Sequence, residues 1–339
     1  MLRKRRPRYS GKNPRKFEEK YKEHDPERYT ETVQKVLASG KTPAGMHRPI
    51  MVKEILEVLH PKPGEIAVDC TLGYGGHAQE LLPSLHPDGF LLGLDIDPLE
   101  LPKTETRLRH LGFDEKIFTT CRSNFAGLSQ VLAKIGLIGA DVILADLGVS
   151  SMQLDNPMRG FSIKLEGPLD MRMNPQRGQS VSILLEKTGP TQLAALFQEN
   201  SDEPHSEILA QALAGKTFLT TTSLASAIRQ ILPKLDEAEK DLTVRRIFQA
   251  LRIAANDEFS ALETFLRQLP HCLKPGGRVA ILTFHSGEDR RVKKAFKEGF
   301  QNGIYSEIAR YVVRANPEER GNNPRSTSAK LRWAKRTPF

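Results

Sequence analysis

The sequence predicts an α/β fold: a parallel sheet with helices on both faces, interrupted by a mainly helical insertion. Three observations predict it. Short apolar runs alternate with amphipathic stretches between residues 65 and 148. The alternation stops at 151 and gives way to loop-rich, then helical sequence as far as about 240. It resumes with "GGRVAILTFH" at 276–285. Short apolar runs bounded by turn residues are buried strands, and strands that alternate with helices assemble into parallel sheets.

The elements follow in order. Residues 1–45 hold a basic arm and a helix, "DPERYTETVQKVLASG", with Asp25 as N-cap, Pro26 in the first turn and Gly40 as the stop. Tyr29, Val33, Val36 and Leu37 share one face of it. A second helix carries Val52, Ile55, Leu56 and Leu59 on its apolar side. "EIAVDC", "GFLLGLD", "KIFTTC" and "DVILADLG" then read as strands, with helices near 76–85, 98–111 and 124–136. The sheet domain therefore occupies 46–150 and 243–339, and the insertion 151–242. In the second part a long helix leads through "CLKPGG" into the strand at 276–285, and "ARYVVRA" and "AKLRWAKR" offer a further strand pair.

Composition bounds the function. With 39% hydrophobic and 27% charged residues the chain reads as soluble and globular. No apolar run approaches the roughly 18 residues of a membrane span. The basic start lacks an apolar stretch, and Glu18, Glu19, Glu23 and Asp25 argue against a transit peptide, so the expected compartment is the cytoplasm. Cys70, Cys121 and Cys272 lie too far apart for a zinc site or a disulfide framework. The net charge of +9 is concentrated at the ends: residues 1–22 hold ten Lys or Arg against two Glu, and residues 306–339 hold eight against three. Basic ends on a near-neutral body suit a polyanionic partner, or serve as solvated tails.

"DCTLGYGGH" at 69–77 follows the first strand and opens a helix, where backbone N–H groups can approach a ligand. A triphosphate loop would end in Gly-Lys-Ser/Thr, whereas this one continues Gly76, His77, Ala78. Its G-x-G-G spacing is also compressed relative to the dinucleotide fingerprint, leaving a smaller nucleoside or a tight packing turn. Asp95 ends the second strand, 22 residues beyond Gly73, where a carboxylate can accept both ribose hydroxyls. Asp97, before Pro98, reads as the N-cap of the next helix. Phe125 in "CRSNFAGL" lies where an adenine could rest, or is core at a helix start. Asp146 ends the fourth strand at the same carboxyl edge. Asp69, the G-x-G-G loop, Asp95 and "LKPGGRVAILTFH" together resemble the Rossmann-like, class I S-adenosylmethionine-dependent methyltransferases. A cationic sulfonium without a pyrophosphate suits an acidic loop.

"LGYGGH", "DVILADLGVSSMQLDNPMRGFSIKLEGPLDMRMN", "FQALRIAANDE" and "TFHSGEDRRVK" make the resemblance specific: residues 47–335 closely resemble the MraW (RsmH) family of ribosomal RNA methyltransferases. The resemblance implies methylation of the exocyclic N4 of a cytidine in the decoding region of 16S ribosomal RNA, on free RNA or on the small-subunit particle. It implies S-adenosylmethionine contacts at Gly75, Gly76, His77, Asp95, Phe125, Asp146 and Gln153. Three departures mark a divergent branch: some 45 residues before "HRPIMVKEIL", the acidic "DEPHSEILA", and Gly287 where Leu is common. They leave open a different RNA cytidine as target. A nicotinamide dehydrogenase and a non-enzymatic assembly factor are the alternatives from other classes.

The chemistry of an aryl amine selects further candidates. Its lone pair is delocalised, so an oxygen acceptor must take its hydrogen bond while the methyl is held in line. Asp146 is the leading acceptor, and Asp170 of "GPLDMRM" and His285 of "TFHSGED" are secondary catalytic candidates. The reaction needs no metal. A base extruded from its stack needs a surface that grips backbone. Arg159, Arg172, Arg177, Arg245, Arg246 and Arg252 are candidate RNA contacts, each of which could instead pair with Asp or Glu. Composition leaves monomer and homodimer equally open.

Overall fold

The computed structural model describes residues 49–339; the basic arm and the helix expected over 25–40 lie outside the described residues. The first described helix, α1 (Val52–Leu59), buries Ile55 and Leu59. The strands β1 (Ile66–Asp69), β2 (Phe90–Asp95), β3 (Phe118–Arg122) and β4 (Ala140–Asp146) fall on their expected runs. Between them lie α2 (Gly76–Leu85), α3 (Leu101–His110) and α4 (Leu128–Lys134), the last entered through a 3-10 turn at Phe125–Gly127. The chain then leaves the sheet for α5 (Ser151–Asp155), α6 (Val181–Lys187), α7 (Pro190–Ser201), α8 (Ser206–Leu213), α9 (Thr221–Ile231) and α10 (Glu237–Asn256). It returns through α11 (Glu258–Cys272), β5 (Leu273–Thr283), α12 (Ser286–Gln301), β6 (Tyr305–Ile308), α13 (Pro317–Asn322) and β7 (Lys330–Arg336).

The sheet order is β3-β2-β1-β4-β5-β7-β6, with β7 antiparallel to both of its neighbours and the other pairs parallel. Side chains alternate along each strand, so one sheet faces two cores. Val68, Leu92, Leu94, Ile143 and Ile281 pack on one side with α4, α11 and α12. Ala67, Leu91, Val142, Leu144 and Leu282 pack on the other with α1, α2 and α3. Burial on both faces is why the strands read as continuous apolar runs. The strand order reverses between β1 and β4, and ligands bind such sheets beyond the carboxyl ends of the strands at that switch point.

Two expectations need correction. The edge strand partnering β7 is Tyr305–Ile308, while "ARYVVRA" supplies only a bridge between Val313 and Leu331. Tyr305 anchors the edge: its ring is buried, stands edge-on to Phe296 at 5.6 Å, and fills the room above Gly299. Tyr311, in the more β-prone run, is 84% exposed. Second, the insertion ends near Asp257 and not at 242. A third core runs from Phe161 to Leu251 and takes in Val244, Ile247 and Phe248 of α10. From Thr243 onward the helix buries an apolar face against the insertion, and the chain turns only at Asp257, whose φ is +54°.

Candidate active site

The loop between β1 and α2 is pinned to the edges of the neighbouring strands. Leu72 N–H donates to the Leu94 carbonyl at 2.7 Å, Cys70 N–H to the Leu144 carbonyl at 2.8 Å, and Asp146 N–H to Thr71 Oγ1 at 2.6 Å. Its glycines differ in purpose. Gly75 has φ +76°, and a Cβ there would stand 2.9 Å from Thr104 Cγ2 and 3.0 Å from Leu108 Cδ1 of α3. It is a left-handed turn that lets two helices approach. A Cβ at Gly76 would press on Pro49 at 3.2 Å. Gly73, with φ +50°, meets nothing nearer than the Thr71 carbonyl at 3.7 Å, so it opens room at the carboxyl edge. A side chain is thus excluded at Gly75 by α3, while Gly73 leaves room at the carboxyl edge.

Three strand ends converge here. Asp95 Oδ2 accepts from Gly73 N–H at 2.7 Å and Oδ1 from Asp97 N–H at 2.8 Å, which aims the carboxylate across the loop. Asp69 Oδ1 accepts from Thr71 N–H at 3.1 Å. Asp146 Oδ2 lies 3.7 Å from His77 Nδ1, and Oδ1 is buried with no hydrogen-bond partner among the described residues. His77 Nε2 reaches the Ile50 carbonyl at 2.9 Å. Burial, opposed by His77, raises Asp69 to about 6. Burial raises Asp95 to about 6 against its backbone donors. Burial, reinforced by Glu288, raises Asp146 to about 7. Burial lowers His77. Buried acids held above their ordinary range at a sheet's carboxyl edge mark a functional site, and they fit a ligand that brings positive charge. Each Asp95 oxygen also keeps a lone pair for a hydroxyl. An adenosine sulfonium therefore fits this donor set.

Asp97 is not a helix cap. Its Oδ1 accepts from Leu99 N–H at 2.9 Å, while Oδ2 accepts from Gln153 Nε2 at 2.9 Å and Arg159 Nη1 at 2.7 Å. All three residues are buried. Gln153 Oε1 meanwhile closes a capping box on Ser150 at the start of α5. Arg159 is removed from the RNA surface by this pairing. Its second nitrogen donates to the Met173 carbonyl at 2.7 Å, and Asn256 at the end of α10 clamps the same loop through Met173 N–H and the Met171 carbonyl. Phe125 is half-buried and meets Phe265 edge-on at 5.4 Å, so its ring serves the core as well as the carboxyl edge.

The secondary catalytic candidates and several arginines are consumed in structure. Asp170 takes both Arg172 Nε and Nη2 at 2.7 Å; burial works against its charge, but the fork prevails and holds the acid below its ordinary range. It is a loop clamp with little basicity to offer. His285 caps α12, its Nδ1 accepting from Glu288 N–H at 3.4 Å and its Nε2 lying 3.2 Å from Glu288 Oε1. Arg252 makes a two-pronged pair with Glu258 at 2.9 and 3.0 Å. Arg246 is one-third exposed and 4.0 Å from buried Glu203. Only Arg177 and Arg245 of the six are exposed. Arg245 stands with Lys164 around the Arg229–Asp241 pair, a locally basic patch on the insertion.

Sequence reasoning missed Thr71, Glu288 and Asn256. Thr71 and Glu288 sit inside motifs already singled out, two residues beyond Asp69 and three beyond His285, but only the fold shows what they face. Among the described residues no group of His, Cys, Asp or Glu could hold a metal ion, and no helix is long and apolar enough to cross a membrane.

Comparison with known proteins agrees with this geometry. The chain is 50% identical over 340 residues to "Ribosomal RNA small subunit methyltransferase H 1" of Lachnoclostridium phytofermentans, covering 98% of this chain and 92% of that one. It is 50% identical to the protein of the same description from Agathobacter rectalis, covering 98% and 97%. It is 39% identical to "Ribosomal RNA small subunit methyltransferase H" of Crocosphaera subtropica, covering 88% and 91%. Residues 44–337 match the MraW methylase family, which sets the dehydrogenase reading aside. The sheet order, the acidic carboxyl edge and this match lead to one conclusion: the chain belongs to the MraW methylase family of S-adenosylmethionine-dependent methyltransferases.

Proposed function

We propose that this protein methylates the exocyclic N4 of a cytidine in the decoding region of 16S ribosomal RNA. The observation that carries the reading is Asp146 at the end of β4: its Oδ1 is buried with no partner among the described residues, while the side chain keeps 28% exposure through which a reacting amine can approach the carboxylate. S-adenosylmethionine supplies an electrophilic methyl on a sulfonium. Asp95 holds the ribose hydroxyls, Phe125 borders the adenine, and Gly73 and His77 border the loop side. Gln153 acts indirectly, by fixing Asp97 and hence the loop that aims Asp95. Asp146 accepts the N4 hydrogen and so localises the nitrogen lone pair toward the methyl, an acceptor role made stronger in a dry site.

The RNA is gripped on the insertion. Arg177, Arg245 and the neighbouring Lys164 offer exposed positive charge for phosphates, which fix register without reading sequence. Such a substrate places the reaction in the cytoplasm. The test is methylation of small-subunit RNA or particles by the purified protein, read by nucleoside mass spectrometry. Label on cytidine N4 is expected; label on a ring carbon or a ribose oxygen would sink the assignment.

A further inference from the structure

His77 sits in the first turn of α2, just after the glycine loop, and both of its ring nitrogens face polar atoms. Its Nε2 meets the Ile50 carbonyl at 2.9 Å, and a carbonyl can only accept, so Nε2 carries the proton. In the neutral ring this leaves Nδ1 as a lone pair, and Nδ1 lies 3.7 Å from Asp146 Oδ2. The ring is buried, so it cannot swing away to water. Two acceptors facing each other form a socket that is filled when a proton comes between them. The other carboxylate oxygen, Oδ1, is buried with no partner among the described residues, so the 28% of the side chain that stays exposed lies away from it.

We infer that His77 is a positioning residue for Asp146, and that the two side chains act as one unit that receives the proton leaving the substrate amine. The inference rests on the reading of Asp146 as amine acceptor. As the nitrogen–carbon bond forms and the carbon–sulfur bond breaks with its electron pair left on sulfur, the amine gives one proton to Asp146 Oδ2, the oxygen that faces His77 Nδ1. His77 Nδ1 steadies Oδ2, so the proton stays on the pair until the product leaves and solvent takes it. The charged groups facing the unit are Glu288 on the Asp146 side, and Asp69, Glu80 and Glu319 on the His77 side. All four are acids.

The test has two arms. In the first, nitrogen NMR follows His77 in the cofactor-free protein and in Asp146→Asn. The Nε2–H tautomer is expected, with the titration midpoint falling by about one pH unit when the facing anion is removed. An Nδ1–H tautomer, or an unchanged midpoint, overturns the inference. In the second, single-turnover rates of His77→Gln are measured from pH 5.5 to 9 beside cofactor affinity. The plateau should fall by about tenfold or more with a displaced pH midpoint. A change confined to cofactor affinity, with rate and midpoint retained, would make His77 a binding residue only. If Asp146→Asn itself retains its rate, the underlying reading of Asp146 fails, which the His77 arms alone would not show.

Discussion

Two sets of buried or half-buried acids differ in what they face. In the first, Asp69, Asp95 and Asp146 end adjacent strands, and among the described residues none has a Lys or Arg ion-pair partner; the nearest basic group is His77, itself pushed toward neutrality. In the second, Asp97, Asp170 and Glu258 each meet an arginine at 2.7–2.9 Å. Burial is similar for Asp69 and Asp97, at 1% exposure each, so depth does not separate the sets. Neutralisation does. An acid left without a cation in a dry place costs stability, and a fold tolerates it where a ligand or a reacting group will supply the missing charge. An acid already matched with a guanidinium fork holds two pieces of chain together.

The sharpest way to break this comparison is Asp146→Asn. It should lower turnover by about 10²- to 10⁴-fold, as loss of a general base does, with RNA affinity held. Rapid-quench methyl transfer checks it, and a near-normal rate would return Asp146 to the structural set.

Arg159→Met tests the opposite set. It leaves Asp97 buried without its cation and should cost about 3–5 kcal/mol of stability. Denaturant unfolding measures the loss. Asp97→Asn combined with Arg159→Met should recover part of it, since no charge is then stranded; a double variant no better than the single would deny the pair its structural role.

Asp95→Ala should weaken cofactor binding by about 1.5–3 kcal/mol per lost hydroxyl bond, or roughly tenfold or more for each. Its pH dependence sharpens the point. Asp95 at about 6 and Asp146 at about 7 stand above the ordinary 3.8, so their protonated forms favour the fold at low pH. That contribution is lost as pH rises through 6 and 7. A cationic cofactor favours the ionised forms, so its affinity should climb between pH 5.5 and 7.5, with proton release on binding near pH 6. Calorimetry in buffers of different ionisation heat reads that release. An affinity flat with pH would mean that the acids do not face the cation.

The smallest effect belongs to the surface. Arg245→Ala should leave cofactor binding intact and reduce the slope of log affinity for RNA against log salt by about one. Arg252→Ala should destabilise the fold instead, since it strands Glu258. Equal behaviour of the two variants would erase the distinction between exposed and consumed arginines.

The strand ends were legible because position along a strand is a local property. An apolar run that stops at an acid places that acid at the sheet edge, which is how Asp95 and Asp146 can be read before any coordinates. Asp97 was not legible. "DIDP" suggests a helix cap from its neighbours alone, whereas the partners of its carboxylate, Gln153 and Arg159, lie 56 and 62 residues away. The arginines failed for the same reason: Arg245 and Arg252 share a helix, and only the approach of Glu258 separates an open charge from a closed pair. The end of the insertion was misplaced because α10 carries one apolar face throughout, with nothing in its periodicity to say which core that face joins.

By itself, then, the sequence determined the alternation of strands and helices, the glycine loop and the ring of acids at the carboxyl edge. These rest on backbone preference and side-chain period, which act over a few residues. Tertiary structure alone decided which buried charges are cancelled and which remain open, that α3 excludes a side chain at Gly75 while Gly73 leaves room, and that His77 Nδ1 comes within 3.7 Å of Asp146. Each depends on groups far apart in the chain meeting at hydrogen-bond distance in a low-dielectric interior, where a single partner changes whether a carboxylate holds the fold or does chemistry.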